Sequence, residues 1–267
     1  METKDFDLLD RAKRGTNTVL RDDQSEFGVI LESIRACRKN GGRFGLVVTG
    51  KFSVYELEWL GEAGADLYTS DGAGAGAREL TLVSLACRRG DAVVAHQMRR
   101  GLESSQKPGS LSFSELKELG RIGIYVHLSN KEENRDFAQL GEIAHEAQKG
   151  GSRLIYYHHG PLDSGIKDLA QNGAWIHLSD SSLSEASDLN LILDASKISL
   201  RAGANLIIHL ETGLTITRLQ EIADSGAVIL FRIFPDGDRA AMRYLERKAK
   251  KRGLDFRSYY LYPNFML

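Results

Sequence analysis

The sequence predicts a single α/β domain, a (β/α)8 barrel of the TIM type, and three observations lead to that prediction. Eight short apolar segments alternate with helical patterns along the chain. Several of these segments lack polar alternation, which is typical of parallel strands buried on both faces. A repeat of about 53 residues, made of two strand–helix steps, recurs along the chain, and four such units would close an eight-stranded barrel. A doubly wound open parallel sheet is the alternative.

The predicted strands are short, and most of them end at a polar residue or a glycine. They are RFGLVVTG (43–50), ADLYTSD (65–71), AVVAHQM (92–98), IGIYVHLSN (122–130), RLIYYHHG (153–160), AWIHLSD (174–180), NLIIHLE (205–211) and AVILFRIF (227–234). The helices between them carry start and stop signals, such as Ser53 with Glu56 three residues later, a capping box. Strand–helix–strand alternation implies parallel pairing with right-handed crossovers.

The whole chain, residues 1–267, is predicted to form one barrel domain. Residues 1–42 are a helical lead-in, 43–253 the barrel core and 254–267 a C-terminal tail. Two further segments, NTVLRDD (17–23) and FRSYYLY (256–262), have the composition of strands. We expect both to be peripheral to an eight-stranded core, although the sequence leaves open whether they join it.

Composition excludes several functional classes. The net charge is −1 and the pI about 6.7, so no basic character indicates nucleic acid or an anionic membrane as a partner. No apolar run reaches the roughly 18 residues that span a bilayer, and the N-terminus lacks the apolar core of a signal peptide. We therefore expect a cytoplasmic protein. The two cysteines, Cys37 and Cys87, are expected to be small packing residues.

Polar residues recur near the ends of the predicted strands, where barrels place their active sites. Aligning the strands by the repeat puts Tyr68, His127, His177 and His209 in one register, with Ser70, Ser129, Ser179 and Glu211 two residues later. Residues two apart on a strand point the same way, and an outward set would need polar partners beneath apolar helix faces. We therefore expect these side chains to face the barrel interior. On the strand at 153–160 we expect Tyr157 and His159 to line the site and Tyr156 and His158 to pack.

The predicted catalytic residues are His159, His177, His209 and Glu211, on three adjacent strands. Three histidines and a carboxylate are adequate ligands for Zn²⁺, Mn²⁺ or Fe²⁺, so the same four residues are also the predicted metal ligands. Without a metal they would act in acid–base catalysis, with Glu211 or His177 as the base. The alternative is that the histidines are inherited with the repeat and satisfied by neighbouring residues.

An anionic substrate is the second functional prediction. Arg232, at the end of the eighth predicted strand, would bind a phosphate or carboxylate. Gly213 and Gly237 lie before helix N-termini in the loops after the seventh and eighth strands, which favour anions. Lys51, His127 and Tyr157 complete the predicted substrate-binding set.

Two further features have alternative interpretations. Asp71 and Asp180 each end a strand; we expect them to cap the following helix, and the alternative is that one of them acts as a base. The run DGAGAGARE (71–79) follows a strand and precedes a helix, as a dinucleotide fingerprint does, but its spacing is G-x-G-x-G and no acidic residue ends the next strand. A flexible active-site loop explains it more simply.

The sequence thus predicts a barrel enzyme that acts on a small phosphorylated or carboxylated metabolite as a lyase, isomerase or hydrolase. A divalent metal ion is the expected cofactor of the metal-assisted version. The expected partner is the anionic small molecule, without nucleic acid or membrane, and a homo-oligomer is compatible with the sequence. The alternatives are a nucleotide- or flavin-binding protein that uses the loop Gly72–Gly76, and a non-catalytic binding or scaffold barrel. Fold alone does not decide between them.

Overall fold

Nine parallel strands in one sheet alternate with helices in the part of the chain that the structure, a computed structural model, describes. The described residues are 3–98, 111–131, 135–183, 186–211, 214–231, 243 and 247. The strands are β1 (Thr18–Arg21), β2 (Phe44–Val47), β3 (Ala65–Ser70), β4 (Val94–Gln97), β5 (Tyr125–Ser129), β6 (Leu154–His158), β7 (Trp175–Ser179), β8 (Leu206–Leu210) and β9 (Val228–Phe231). The helices are α1 (Thr3–Lys13), α2 (Phe27–Lys39), α3 (Val54–Glu62), α4 (Ala77–Arg89), α5 (Phe113–Arg121), α6 (Phe137–Lys149), α7 (Gly165–Gln171), α8 (Ala186–Arg201) and α9 (Ile216–Ser225).

The order of the strands along the sheet follows their order in the chain. A doubly wound sheet reverses that order at a switch point, so the alternative is wrong and the predicted TIM-type class of fold is confirmed. All eight predicted segments form strands. The segment 17–23 also contributes a strand, β1, which pairs in parallel with β2 and places Thr18 opposite Phe44. The segment 256–262 and the C-terminal tail lie outside the described residues.

The chain divides into two compact units, Met1–Val126 and His127–Leu267. In the first unit every residue of β2, β3 and β4 is buried, as expected for parallel strands covered on both faces. The predicted capping box at α3 is confirmed, because the Ser53 hydroxyl accepts the Glu56 N–H while the Glu56 carboxylate accepts the Ser53 N–H. Ser112 and Glu115 form the same kind of capping box at the start of α5.

In the second unit, β6 to β9 pair in parallel with a fixed stagger. Tyr157 lies opposite His177, whereas His209 lies opposite Ser179. The predicted alignment of His177 with His209 at one register position is therefore wrong by two residues. Because side chains alternate with a period of two, a shift of two residues leaves both histidines on the same face of the sheet.

Ring contacts identify the two faces of β6. The rings of Tyr156 and His158 lie 6.1 and 6.4 Å from that of Phe137, which belongs to α6. Tyr157 projects from the other face, where its ring stacks on His177 with centroids 4.3 Å apart. The predicted division between a packing pair and Tyr157 is therefore confirmed.

The internal repeat has a structural counterpart at the carboxyl ends of alternate strands. The residue that follows β1, β5 or β7 is an aspartate or asparagine whose side chain accepts the backbone N–H of a residue just beyond the next strand. The three contacts are Asp22 to Thr49 (2.9 Å), Asn130 to His159 (2.7 Å) and Asp180 to Glu211 (2.8 Å). Asp71 occupies the same place after β3 and is buried. Each repeat thus begins at an odd-numbered strand, and β1 opens the first one.

Candidate functional site

A row of four stacked rings crosses β5 to β8 in the second unit. His127, Tyr157, His177 and His209 follow one another with centroid separations of 6.1, 4.3 and 5.2 Å and interplanar angles of 21 to 29°. The first three rings are buried and His209 is half-buried. Aromatic and imidazole groups thus lie side by side across four neighbouring strands, where cross-strand ring pairs stabilise the sheet.

His177 and His209 are joined by a hydrogen bond within this row. The Nδ1 atom of His177 lies 2.9 Å from Nε2 of His209. Burial, followed by the nearby His209 and His127 imidazoles, holds the pKa of His177 well below its ordinary value. His177 is consequently neutral near pH 7, and one nitrogen of each imidazole is engaged in the pair.

Glu211, the first residue after β8, is held at two points by residues that end β7. Its carboxylate Oε2 accepts the Ser179 hydroxyl at 2.7 Å, and its backbone N–H donates to Asp180 at 2.8 Å. The exposed Ser181 hydroxyl donates in turn to Ser179 Oγ at 2.8 Å. Two hydroxyls thus form a hydrogen-bonded path from the half-buried carboxylate to the surface.

The N-cap of the 3₁₀ turn Asp180–Ser182 that follows β7 is Ser179 and not Asp180. The Ser179 hydroxyl makes the capping contact by accepting the Ser181 N–H at 3.2 Å. Asp180 is instead buried and bonded to Glu211 across the sheet.

His159 lies just beyond β6, and its imidazole is partly buried. Burial is the largest cause that lowers its pKa, the nearby Lys131 and His158 side chains lower it further, and the Glu211 carboxylate opposes them. The side chain of Asn130 fixes the His159 backbone at both its N–H and its carbonyl, at 2.7 and 2.9 Å. Among the described residues the buried Nε2 atom of His159 has no hydrogen-bond partner, so a donor or acceptor on a ligand would satisfy it.

The predicted metal centre is not assembled by these residues. No three histidine, cysteine, aspartate or glutamate side chains in the described part of the chain converge in an arrangement that could hold a metal ion. His177 and His209 are bonded to each other, and the Glu211 carboxylate is bonded to Ser179. Three of the four predicted ligands therefore direct donor atoms at protein partners, and the four side chains do not converge on one point, so this geometry does not fit the metal-assisted version.

The predicted anion-binding residues are only partly described. Arg232, Gly213 and Gly237 lie outside the described residues. Lys51 belongs to the first unit, where its ammonium donates to the Ser25 carbonyl at 2.9 Å, pairs with Glu26 at 3.3 Å and lies 5.4 Å from the centre of the Phe52 ring. The Lys51 ammonium is therefore already in contact with groups of the first unit.

The glycine-rich run forms a short turn and a helix start in the first unit. A 3₁₀ turn spans Asp71–Ala73, Gly74 has the left-handed φ of 78°, and Gly76 precedes α4. The Glu79 carboxylate accepts the Gly76 N–H at 3.0 Å. A side-chain carboxylate thus occupies a position at the helix N-terminus where the phosphate of a dinucleotide would bind.

Three residues of this region were not singled out from the sequence. Lys131 lowers the pKa of His159, and the Asn130 side chain positions the His159 backbone. Ser181 extends the hydrogen-bonded path from Glu211 to the surface. Asn130 could have been found from the sequence, since an aspartate or asparagine follows alternate strands throughout the repeat. The contact across the sheet is not visible from that spacing alone.

Comparisons with known proteins give no family. No protein-family model and no curated protein matches the chain. Among solved structures, a mutant tryptophan synthase alpha-subunit from Pyrococcus furiosus is 13% identical with a TM-score of 0.34, over 89% of this chain and 97% of its own. The HpcH/HpaI aldolase from Desulfitobacterium hafniense DCB-2 is 9% identical with a TM-score of 0.36, over 91% and 94%.

A third structure is similar to the same extent. The 3-dehydroquinate dehydratase from Aquifex aeolicus VF5 is 12% identical with a TM-score of 0.35, over 87% of this chain and 96% of its own. These values are too low to carry an argument about function. In the described residues no helix has both the length and the apolarity that crossing a membrane requires. The function must therefore be inferred from the site itself.

Proposed function

We propose that the protein is an enzyme that moves a proton in a small carboxylated or phosphorylated metabolite, by acid–base catalysis at the carboxyl ends of β5 to β8. The reaction class is a lyase or an isomerase, and a cytoplasmic location is part of the proposal. The observation that carries it is the double attachment of Glu211 to Ser179 and Asp180. A carboxylate fixed at both its backbone and its side chain, and half-exposed at a strand end, is suited to act as a general base.

Glu211 is a better candidate for the base than His177. His177 is buried, its pKa is held well below the ordinary value, and its Nδ1 is bonded to His209. Glu211 stands at the end of the strand and connects to the surface through Ser179 and Ser181. A proton accepted by Glu211 can therefore equilibrate with solvent along that path.

His159 and Lys131 supply the remaining functions. The lowered pKa keeps the His159 imidazole neutral near pH 7, so it can both donate a proton to a developing oxyanion or leaving group and accept one in return. The Lys131 ammonium, exposed at the end of β5, provides the positive charge for the substrate's carboxylate or phosphate. We assign Glu211 as base, His159 as second proton-transfer group and Lys131 as anion-binding residue.

Solvent-deuterium incorporation tests the proposal directly. A panel of small carboxylates and phosphate monoesters is incubated with the protein in D2O, and exchange and turnover are followed by proton NMR. We expect at least one compound to exchange, and we expect Glu211→Gln to slow the exchange by about 100-fold or more, the usual contribution of a general base. Glu221→Gln, at an exposed carboxylate on α9, is the matched control and should leave the rate unchanged.

Two outcomes would overturn the proposal. One is that no compound of either class exchanges or reacts, and the other is that Glu211→Gln and His159→Gln react as fast as the unmodified protein. A parallel sample treated with a chelator distinguishes the metal-assisted version, because acid–base catalysis by these residues alone predicts an unchanged rate. Loss of the rate on chelation, with recovery on adding Zn²⁺, Mn²⁺ or Fe²⁺, would contradict the metal-free assignment.

A further inference from the structure

Asn130 differs in type from the residues that occupy the same place in the other repeats. The residue that follows β5 is an asparagine, whereas the residues that follow β1, β3 and β7 are all aspartates, namely Asp22, Asp71 and Asp180. A carboxylate suits a place where it accepts a backbone N–H, as Asp180 does from Glu211 at 2.8 Å, because an ionised carboxylate can only accept hydrogen bonds. The contacts of Asn130 explain why this one position carries an amide.

The Asn130 side chain holds the backbone of His159 through both a donor and an acceptor. Its Oδ1 accepts the His159 N–H at 2.7 Å, and its Nδ2 donates to the His159 carbonyl at 2.9 Å. An aspartate at this position could make the first contact but not the second, and it would place an oxygen against the carbonyl oxygen. The backbone of His159 therefore requires an amide here.

His158 favours the same orientation of the Asn130 amide. The His158 side chain is buried, and its Nε2 lies 2.8 Å from the carbonyl oxygen of Pro161. A carbonyl oxygen can only accept, so Nε2 carries a proton and donates it. In the neutral ring Nδ1 is then an acceptor, and it lies 3.5 Å from Nδ2 of Asn130. All three contacts of Asn130 thus place its Nδ2 and its Oδ1 in the same way.

Asn130 also lies directly before Lys131, the exposed cation at the end of β5. The Lys131 N–H donates to the Ser129 hydroxyl at 3.1 Å, which fixes the turn. The charge of Lys131 contributes to lowering the pKa of His159, so the two side chains lie within electrostatic range of each other. A carboxylate at position 130 would add a negative charge beside both, where it would attract the Lys131 ammonium and repel an anionic ligand.

We propose that Asn130 is a positioning residue of the acid–base site, which holds His159 beside Lys131 and, as a neutral amide, leaves the Lys131 charge to the substrate's anionic group. The inference rests on the proposed function, in which His159 transfers a proton and Lys131 binds the anion. It adds a positioning role and an electrostatic role for Asn130. Each role has its own measurement.

Amide hydrogen exchange of the isotope-labelled full chain, followed by NMR, tests the positioning role. Asn130→Ala removes the acceptor of the His159 N–H and should speed the exchange of that amide by about tenfold, the effect of losing one hydrogen bond. Asn172→Ala is the matched control, because Asn172 also donates its side-chain amide to a backbone carbonyl, that of Asp168, but at the end of α7. It should leave the exchange of the His159 amide unchanged.

Titration with inorganic phosphate tests the electrostatic role, with binding followed by the backbone amide signals of Lys131 and His159. Asn130→Asp should weaken phosphate binding by about tenfold or more, because it places a like charge beside the bound anion. Asn130→Ala adds no charge and should weaken binding less than Asn130→Asp does. A purely structural role of Asn130 does not predict this order, since aspartate is closer to asparagine in size. Asn172→Asp adds the same charge at the end of α7 and should bind phosphate as the wild type does.

Faster exchange of the His159 amide in Asn130→Ala would support the positioning role, and unchanged exchange would overturn it. Equal phosphate affinity of Asn130→Asp and the wild type would overturn the electrostatic role. A wild type that binds no phosphate would contradict the assignment of Lys131 in the proposed function and the electrostatic role with it, while the exchange measurement would still decide the positioning role. If Asn130→Ala does not fold, Asn130→Asp, in which an oxygen opposes the His159 carbonyl, takes its place in the exchange measurement.

Discussion

His96 makes the stability of this protein depend on pH, and the structure gives the size of the effect. Its side chain is fully buried on β4 and its Nδ1 lies 2.9 Å from the Thr69 hydroxyl. Burial lowers the pKa of His96 to about 4, against an opposing effect of the Asp71 charge. In the unfolded chain the same imidazole titrates near its ordinary value of about 6.5.

The sign of the effect follows from which state binds the proton. Between about pH 6.5 and pH 4 the unfolded chain is protonated at His96 while the folded protein is not, so stability falls as the pH is lowered through this window. From the two pKa values, the loss between pH 7 and pH 4.5 is about 2 kcal/mol, because each unit of pKa difference corresponds to about 1.4 kcal/mol. His177, whose pKa is also lowered, adds a loss of the same sign.

Urea denaturation at a series of pH values measures this contribution. The variant His96→Asn cannot titrate in this range, and an amide at this position can still approach Thr69. We therefore expect the variant to lose about 2 kcal/mol less stability than the wild type between pH 7 and pH 4.5, whatever its stability at pH 7. His145→Asn, at an exposed histidine on α6, should follow the wild type. The same pH slope in His96→Asn and wild type would refute the reasoning.

Two further predictions concern buried groups. Asp180→Ala leaves the Glu211 N–H without its acceptor and should lower the free energy of unfolding by about 2 kcal/mol, measured by urea denaturation. Asp180→Asn should lower it by less than half as much, since Asn130 makes the equivalent contact, and equal losses in the two variants would contradict a role for the acceptor. Burial raises the pKa of both Cys37 and Cys87, so a disulfide reagent at pH 8 should modify neither thiol in the native protein and both in urea. Rapid modification of the native protein would contradict the burial of these thiols.

Much of the candidate site could be predicted because its residues follow from local pattern. The apolar runs ending in His177 and His209 identify strand ends, and the repeat indicates that these ends belong together. The residue types of the site by themselves predict a metal centre. The sequence does not say whether these residues bind a metal, because ligand geometry depends on where the imidazole nitrogens point. In the structure Nδ1 of His177 and Nε2 of His209 are bonded to each other.

The sequence by itself determined the alternation of strands and helices, the capping of α3 and the polar strand ends, because each depends on residues within one or two turns of chain. Only the tertiary structure decided the stagger that pairs His209 with Ser179, the attachment of Glu211 to Asp180 and the effect of Lys131 on His159. These features join residues about 30 positions apart. Strand register, burial and charge separation arise only when distant segments pack, so the periodicity of a single segment carries no information about them.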